Sequence, residues 1–177
     1  MRNRFFIVRH GESENNVLEL YDSHIKNVDR YGLTENGRAQ IMSAAENIEK
    51  IHKIFTSPFK RTRETAEIFQ VHSLADLHID HRLREIDLGT LHGETHRDLP
   101  DLNEDELIFE GESIAEIKDR MMEFITETNQ LHEGLNILIV SHGGPIEILR
   151  HYLAHDHPFR FKGLAKVPAN GKIFELK

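Results

Sequence analysis

At 177 residues the chain is long enough to bury a sizeable core, and 38% hydrophobic against 29% charged residues is a globular balance, not that of a disordered chain. A formal net charge of −8 argues against general binding to nucleic acid or anionic lipid, so an anionic ligand requires a local cationic pocket. Cysteine is absent, which excludes a disulfide framework and thiolate metal sites.

In chain order, the first apolar run is Phe5-Phe6-Ile7-Val8, which ends at Arg9 and His10. It is too short for a signal segment or a membrane span, so the expectation is a cytoplasmic protein with no membrane partner, folded as one domain over residues 1–177. The run reads as a strand, as do Ile54-Phe55 and Leu135 to Val140. Thr34 is the expected N-cap of a helix running to about Lys50, with Glu35 in its first turn. The acidic stretch Asp101 to Glu106 reads as a solvated insertion. Ser113-Ile114-Ala115-Glu116 is a capping box, and the helix it opens carries Ile114, Ile117, Met121, Phe124 and Ile125 on one core-facing stripe. Gly144-Pro145 opens another helix, so Ser141-His142-Gly143 is a strand-to-helix turn. Strands alternating with helices, one of them nearly unbroken in apolar residues, predict an α/β fold: three layers, α/β/α, around a mostly parallel sheet.

Chemistry concentrates where strands end. Ile7-Val8-Arg9-His10-Gly11-Glu12-Ser13 places an arginine and a histidine at a strand terminus, with a glycine that lets backbone approach a ligand. An imidazole there can act as a nucleophile, and a guanidinium offers fixed donors to phosphate oxygens. Val140-Ser141-His142-Gly143-Gly144 repeats the arrangement, and parallel strands bring such ends to one edge. Between them, Thr56 to Ala66 sets Lys60, Arg61 and Arg63 where a strand gives way to a helix. Arg61 and Arg63 face different sides of that helix, so one of them points inward.

These segments resemble the histidine phosphatase superfamily, the phosphoglycerate mutase-like family, over most of the chain. The resemblance is carried by Arg9-His10-Gly11-Glu12-Ser13 with Asn16, by Leu33-Thr34-Glu35-Asn36-Gly37, by Ser57, Arg61, Thr65 and Ala66, by Leu83-Arg84-Glu85-Ile86-Asp87-Leu88-Gly89, and by Ser141-His142-Gly143-Gly144. It implies that His10 is phosphorylated, that Arg9, Arg61 and His142 bind the phosphoryl group, and that Glu85 donates the leaving-group proton. It also implies a phosphate contact from Asn16, although asparagine serves turns for local reasons as well. Asp87 is the neighbouring candidate for the acid, and Glu85 is preferred because its place after Leu83-Arg84 matches the family element.

Within the family the expectation is a phosphomonoester hydrolase acting on a small phosphorylated substrate. The short stretch between Glu85 and Gly111-Glu112-Ser113 favours it over a cofactor-dependent phosphoglycerate mutase, which usually carries a longer insertion there. A non-catalytic phosphate-binding or interaction module is the remaining alternative. No cofactor is expected. Nor is a metal, since His151 and His155 share a helical face with His157 nearby but no motif places a third ligand. Residues Val17 to Arg30 and Leu91 to Glu110 are the expected pocket walls.

Overall fold

The computed structural model describes residues 1–96, 103–155, 157–159 and 167–176. Five strands form one sheet in the order β3-β2-β4-β1-β5. Strands β1 (Arg4–Arg9), β2 (Lys53–Thr56), β3 (Asp76–Ile79) and β4 (Asn136–Ser141) run parallel, and β5 (Ile173–Leu176) closes one edge antiparallel to β1.

Alternation along the strands builds two cores. Phe5 and Ile7 of β1 join Ile137 and Ile139 of β4 under helices α4 (Ile114–Leu131) and α5 (Gly143–Ala154). Phe6 and Val8 point the other way with Leu138 and Val140, under α2 (Glu35–Glu46) and α3 (Lys60–Ser73). Side chains of a strand alternate between its faces, so a strand covered on both faces must be apolar throughout. This is the expected three-layer α/β/α architecture, with one short helix more, α1 (Glu14–Val17), after β1.

Caps set the helix starts. Thr34 accepts from the Gly37 amide at 2.9 Å and opens α2, and Ser113 with Glu116 forms the reciprocal capping box of α4. The expected apolar stripe of α4 is buried at every position. Helix α2 ends at Glu46 and not near Lys50: Asn47 turns back to the Ser43 carbonyl at 2.7 Å, which lets Ile51 drop into the core ahead of β2.

Of the acidic stretch Asp101 to Glu106, positions 101 and 102 lie outside the described residues. Asp105 and Glu106 are exposed, but Glu104 is not merely solvated: it accepts from the Tyr152 hydroxyl at 2.7 Å and from Lys118 Nζ at 3.1 Å. No described helix is long and apolar enough to cross a membrane.

Candidate active site

Strands β1 and β4 lie side by side in register, Arg9 opposite Ser141, so the residues following each strand emerge together at the carboxyl edge of the sheet. Between them and the first turns of α3 and α5 opens a crevice of about 280 Å³ whose lining includes Arg9, His10, Asn16, Arg61 and Glu85. Parallel α/β sheets present such crevices at their carboxyl ends. Gly143 and Gly144, the first residues of α5, line the crevice, where the helix dipole favours an anion. A Cβ at Gly144 would stand 2.4 Å from Ile86 Cδ1, so a larger residue there would have to push the buried Ile86 side chain aside.

His10 is 2% exposed, and its Nδ1 lies 2.8 Å from the Gly11 carbonyl. A carbonyl only accepts, so Nδ1 carries the proton and Nε2 keeps its lone pair. Burial, reinforced by Arg61 and Arg9, pushes the imidazole well below the usual histidine range and holds it neutral. His142 stacks edge-on to it with ring centroids 5.3 Å apart. Its ring is fully buried and stands behind the crevice wall, with Nε2 2.7 Å from Ser57 Oγ and Nδ1 3.6 Å from Glu85 Oε2. Burial keeps this imidazole neutral too.

The arginines are held from behind. Arg61, on the first turn of α3, is buried and donates through Nη1 to Asp22 Oδ2 at 2.6 Å and through Nη2 to the Asp22 carbonyl at 2.8 Å. Arg63 points outward to an ion pair with Asp29, and with Lys60 lines a separate surface depression. Arg9 donates through Nη1 to the Pro168 carbonyl at 2.7 Å. Asn16 Oδ1 accepts from Ser13 Oγ at 3.0 Å and from Asn170 Nδ2 at 3.2 Å, which leaves its amide hydrogens for a ligand.

Glu85 reaches the crevice with 22% of its side chain exposed, while Asp87 turns away and accepts from the Gly89 amide at 2.9 Å. Burial raises the Glu85 carboxyl above its usual range, against the opposing pull of Arg61 and Arg9. A buried network fixes its segment. Arg120 donates to the carbonyls of Arg82 at 2.5 Å and Glu85 at 3.4 Å, and Glu112 accepts from Arg120 Nε at 2.9 Å, from the Asp87 amide at 3.0 Å and from Arg84.

All six residues singled out in the sequence thus gather within one site, five on the crevice surface and His142 behind it. Asp22, Pro168, Asn170 and the Glu112–Arg120 pair were missed. Segment 17–30 gives Leu20, Tyr21, Asp22 and Ser23 to the wall, and segment 91–110 gives His96, with positions 97–102 outside the described residues. Among the described residues, the buried side-chain atoms left without a hydrogen bond are Arg9 Nε, Arg61 Nε, Asp22 Oδ1 and His142 Nδ1, every one in this site. No described group of three or more His, Asp or Glu residues is arranged to hold a metal ion.

Fold and crevice together define an α/β/α protein with a cationic, histidine-lined site at the carboxyl edge of its sheet. The profile of the histidine phosphatase superfamily (branch 1) matches residues 5–176, and the chain belongs to that family. It is 34% identical over 151 residues to a probable phosphoglycerate mutase GpmB of Serratia proteamaculans, covering 78% of this chain and 68% of that protein. Its fold is similar to that of Bacillus stearothermophilus YhfR, with a TM-score of 0.80 and 26% identity over 98% of this chain and 90% of the other. A mycobacterial glucosyl-3-phosphoglycerate phosphatase in complex with VO3 matches with a TM-score of 0.81 and 22% identity over 97% and 90% of the two chains.

Proposed function

We propose that the chain is a phosphomonoester hydrolase that works through a phosphohistidine on His10, with Glu85 as general acid. The observation that carries this reading is the His10 tautomer: its Nδ1 proton is committed to the Gly11 carbonyl, which leaves Nε2 as the nucleophile beside two arginines. In the first step His10 Nε2 attacks phosphorus, the P–O ester bond breaks, and protonated Glu85 gives its proton to the departing alkoxide. Water then attacks the phosphohistidine, the P–N bond breaks, Glu85 takes the water proton, and inorganic phosphate leaves. Arg9, Arg61, the Asn16 amide and the α5 amides meet the charge that spreads over the equatorial oxygens. His142, buried behind His10, supports its ring and adds a polar group beside Glu85. A single domain over 1–177 and a small phosphorylated substrate are part of the same reading.

A second reading, transfer to a substrate hydroxyl instead of water, is favoured by the GpmB relative, described as a probable phosphoglycerate mutase. Phosphate release from a panel of phosphomonoesters, measured in EDTA for wild type and His10→Ala beside a phosphoglycerate mutase assay, separates the two. Hydrolysis by wild type and none by His10→Ala is the expected result. Mutase turnover exceeding hydrolysis would replace it with the second reading, and silence in both assays would leave a binding module.

A further inference from the structure

Asp22 has no part in the chemistry set out above, yet it is among the most deeply buried charged side chains of the site. Its carboxylate is 1% exposed and takes Arg61 Nη1 at 2.6 Å, while its own backbone carbonyl takes Nη2 at 2.8 Å. Those two bonds occupy one edge of the guanidinium fork. The second hydrogen of each Nη is left over, and the buried Arg61 Nε has no partner. The other carboxylate oxygen, Asp22 Oδ1, is likewise unpartnered, although Asp22 lines the crevice. A full negative charge is therefore fixed directly behind the cation expected to grip a dianion.

That is costly unless it serves the reaction. Burying an ion pair seldom adds net stability, and an anion behind the phosphate site weakens ground-state binding of substrate and product alike. It does two useful things. It aims the fork, because the carboxylate and the carbonyl of one residue accept from two different nitrogens and so fix the plane of the guanidinium. It also offsets the Arg61 charge at the groups that Arg61 faces: Arg9 and His10 at the end of β1, His142 at the end of β4, and Glu85 with Arg120 behind it, while His92 across the wall feels Asp22 directly.

We propose that Asp22 is the positioning residue that orients Arg61 toward the phosphoryl group and supplies the counter-charge that lets inorganic phosphate leave, an inference that rests on the phosphohistidine reading. With the charge removed and the shape kept, the site becomes more cationic. Phosphate then binds more tightly, and Glu85 gives up its proton at lower pH.

The test uses the full chain with Asp22→Asn, which keeps size and an acceptor, and Asp22→Glu, which keeps the charge and shifts it by a methylene. Inorganic phosphate binding is read by calorimetry, so it needs no turnover. Asp22→Asn should bind phosphate at least about threefold more tightly, the scale of one charge within a partly screened site, with lower KM, lower kcat and the high-pH limb of kcat/KM on alkyl phosphates moved to lower pH. Asp22→Glu should lose kcat through misaligned Arg61 without gaining phosphate affinity and without moving the limb. Parallel loss of affinity in both variants with an unmoved pH profile would make Asp22 a packing residue and overturn the proposal. If Asp22→Asn fails to fold, tighter phosphate binding or an undiminished kcat in Asp22→Glu overturns it equally. Absence of hydrolysis by wild type would instead sink the phosphohistidine reading, and the calorimetric comparison would still judge Asp22.

Discussion

Glu85 and His10 are set against each other by the same burial. A carboxyl gains a proton more readily when desolvated and an imidazole loses one more readily, so the neutral pair is favoured over the charged one. A neutral His10 with a protonated Glu85 is the combination the proposed first step needs. Activity should fall on the high-pH side as Glu85 ionises and on the low-pH side only as His10 becomes protonated, below its ordinary range. Glu85→Gln should lower kcat/KM on alkyl phosphates by ~10²–10⁴-fold, change activated aryl phosphates far less, and remove the high-pH limb. A profile measured on both ester types checks this, and equal losses on the two would take Glu85 out of the acid role. His10 was legible in the sequence because it follows a strand end and precedes a glycine, and Glu85 through the resemblance of Leu83-Arg84-Glu85 to the family element. Asp22, Pro168 and Asn170 were not, because the groups they hold are 39, 159 and 160 positions away and no local pattern announces such pairings.

Among the elements, β1, β2 and β4 were readable as apolar runs because helices cover both faces of the sheet there. Strand β3 was not: Asp76–Ile79 lies at the sheet edge, largely exposed, and its polar-apolar alternation runs for four residues, too few to stand out. Strand β5 was hidden for a similar reason, being four residues long and half open to solvent. The wall loop after α1 is latched, beside its bonds to Arg61 and Leu88, by a histidine ring. His92 Nδ1 accepts from the amides of Ser23 at 3.3 Å and His24 at 3.2 Å, next to Asp22, which requires that nitrogen to be unprotonated. Burial lowers the His92 pKa, so its contribution to folding is complete above the ordinary histidine value and is lost as pH falls through the depressed one. Acidification should therefore lower the hydrogen-exchange protection factors of the Ser23 and His24 amides before those of the strands β1 and β4 fall. His92→Phe should show fast exchange there at every pH, and protection independent of His92 would remove the latch.

At the scale of the whole molecule, four buried polar atoms without partners in one site mark stability given up for function, at ~1–3 kcal/mol for each such group. An oxyanion held by the Arg9 and Arg61 guanidinium groups, which line the crevice, offsets part of it. Inorganic phosphate at a hundred times its dissociation constant adds about 2.7 kcal/mol, which for a chain of this size should raise the melting temperature by roughly 5–10 °C. Thermal melts with and without phosphate check it, and Arg9→Ala should shrink the rise. One further consequence follows from the pairing of β5 with β1, which carries the Pro168 carbonyl to Arg9 and the Asn170 side chain to the His10 carbonyl. On the ribosome, the strand that leads to the proposed nucleophile is made before the segment that braces it. A nascent chain can acquire both helical layers and still hold its Arg-His pair unbraced, and the bracing is complete only when residues 168–176 have left the exit tunnel and paired alongside β1.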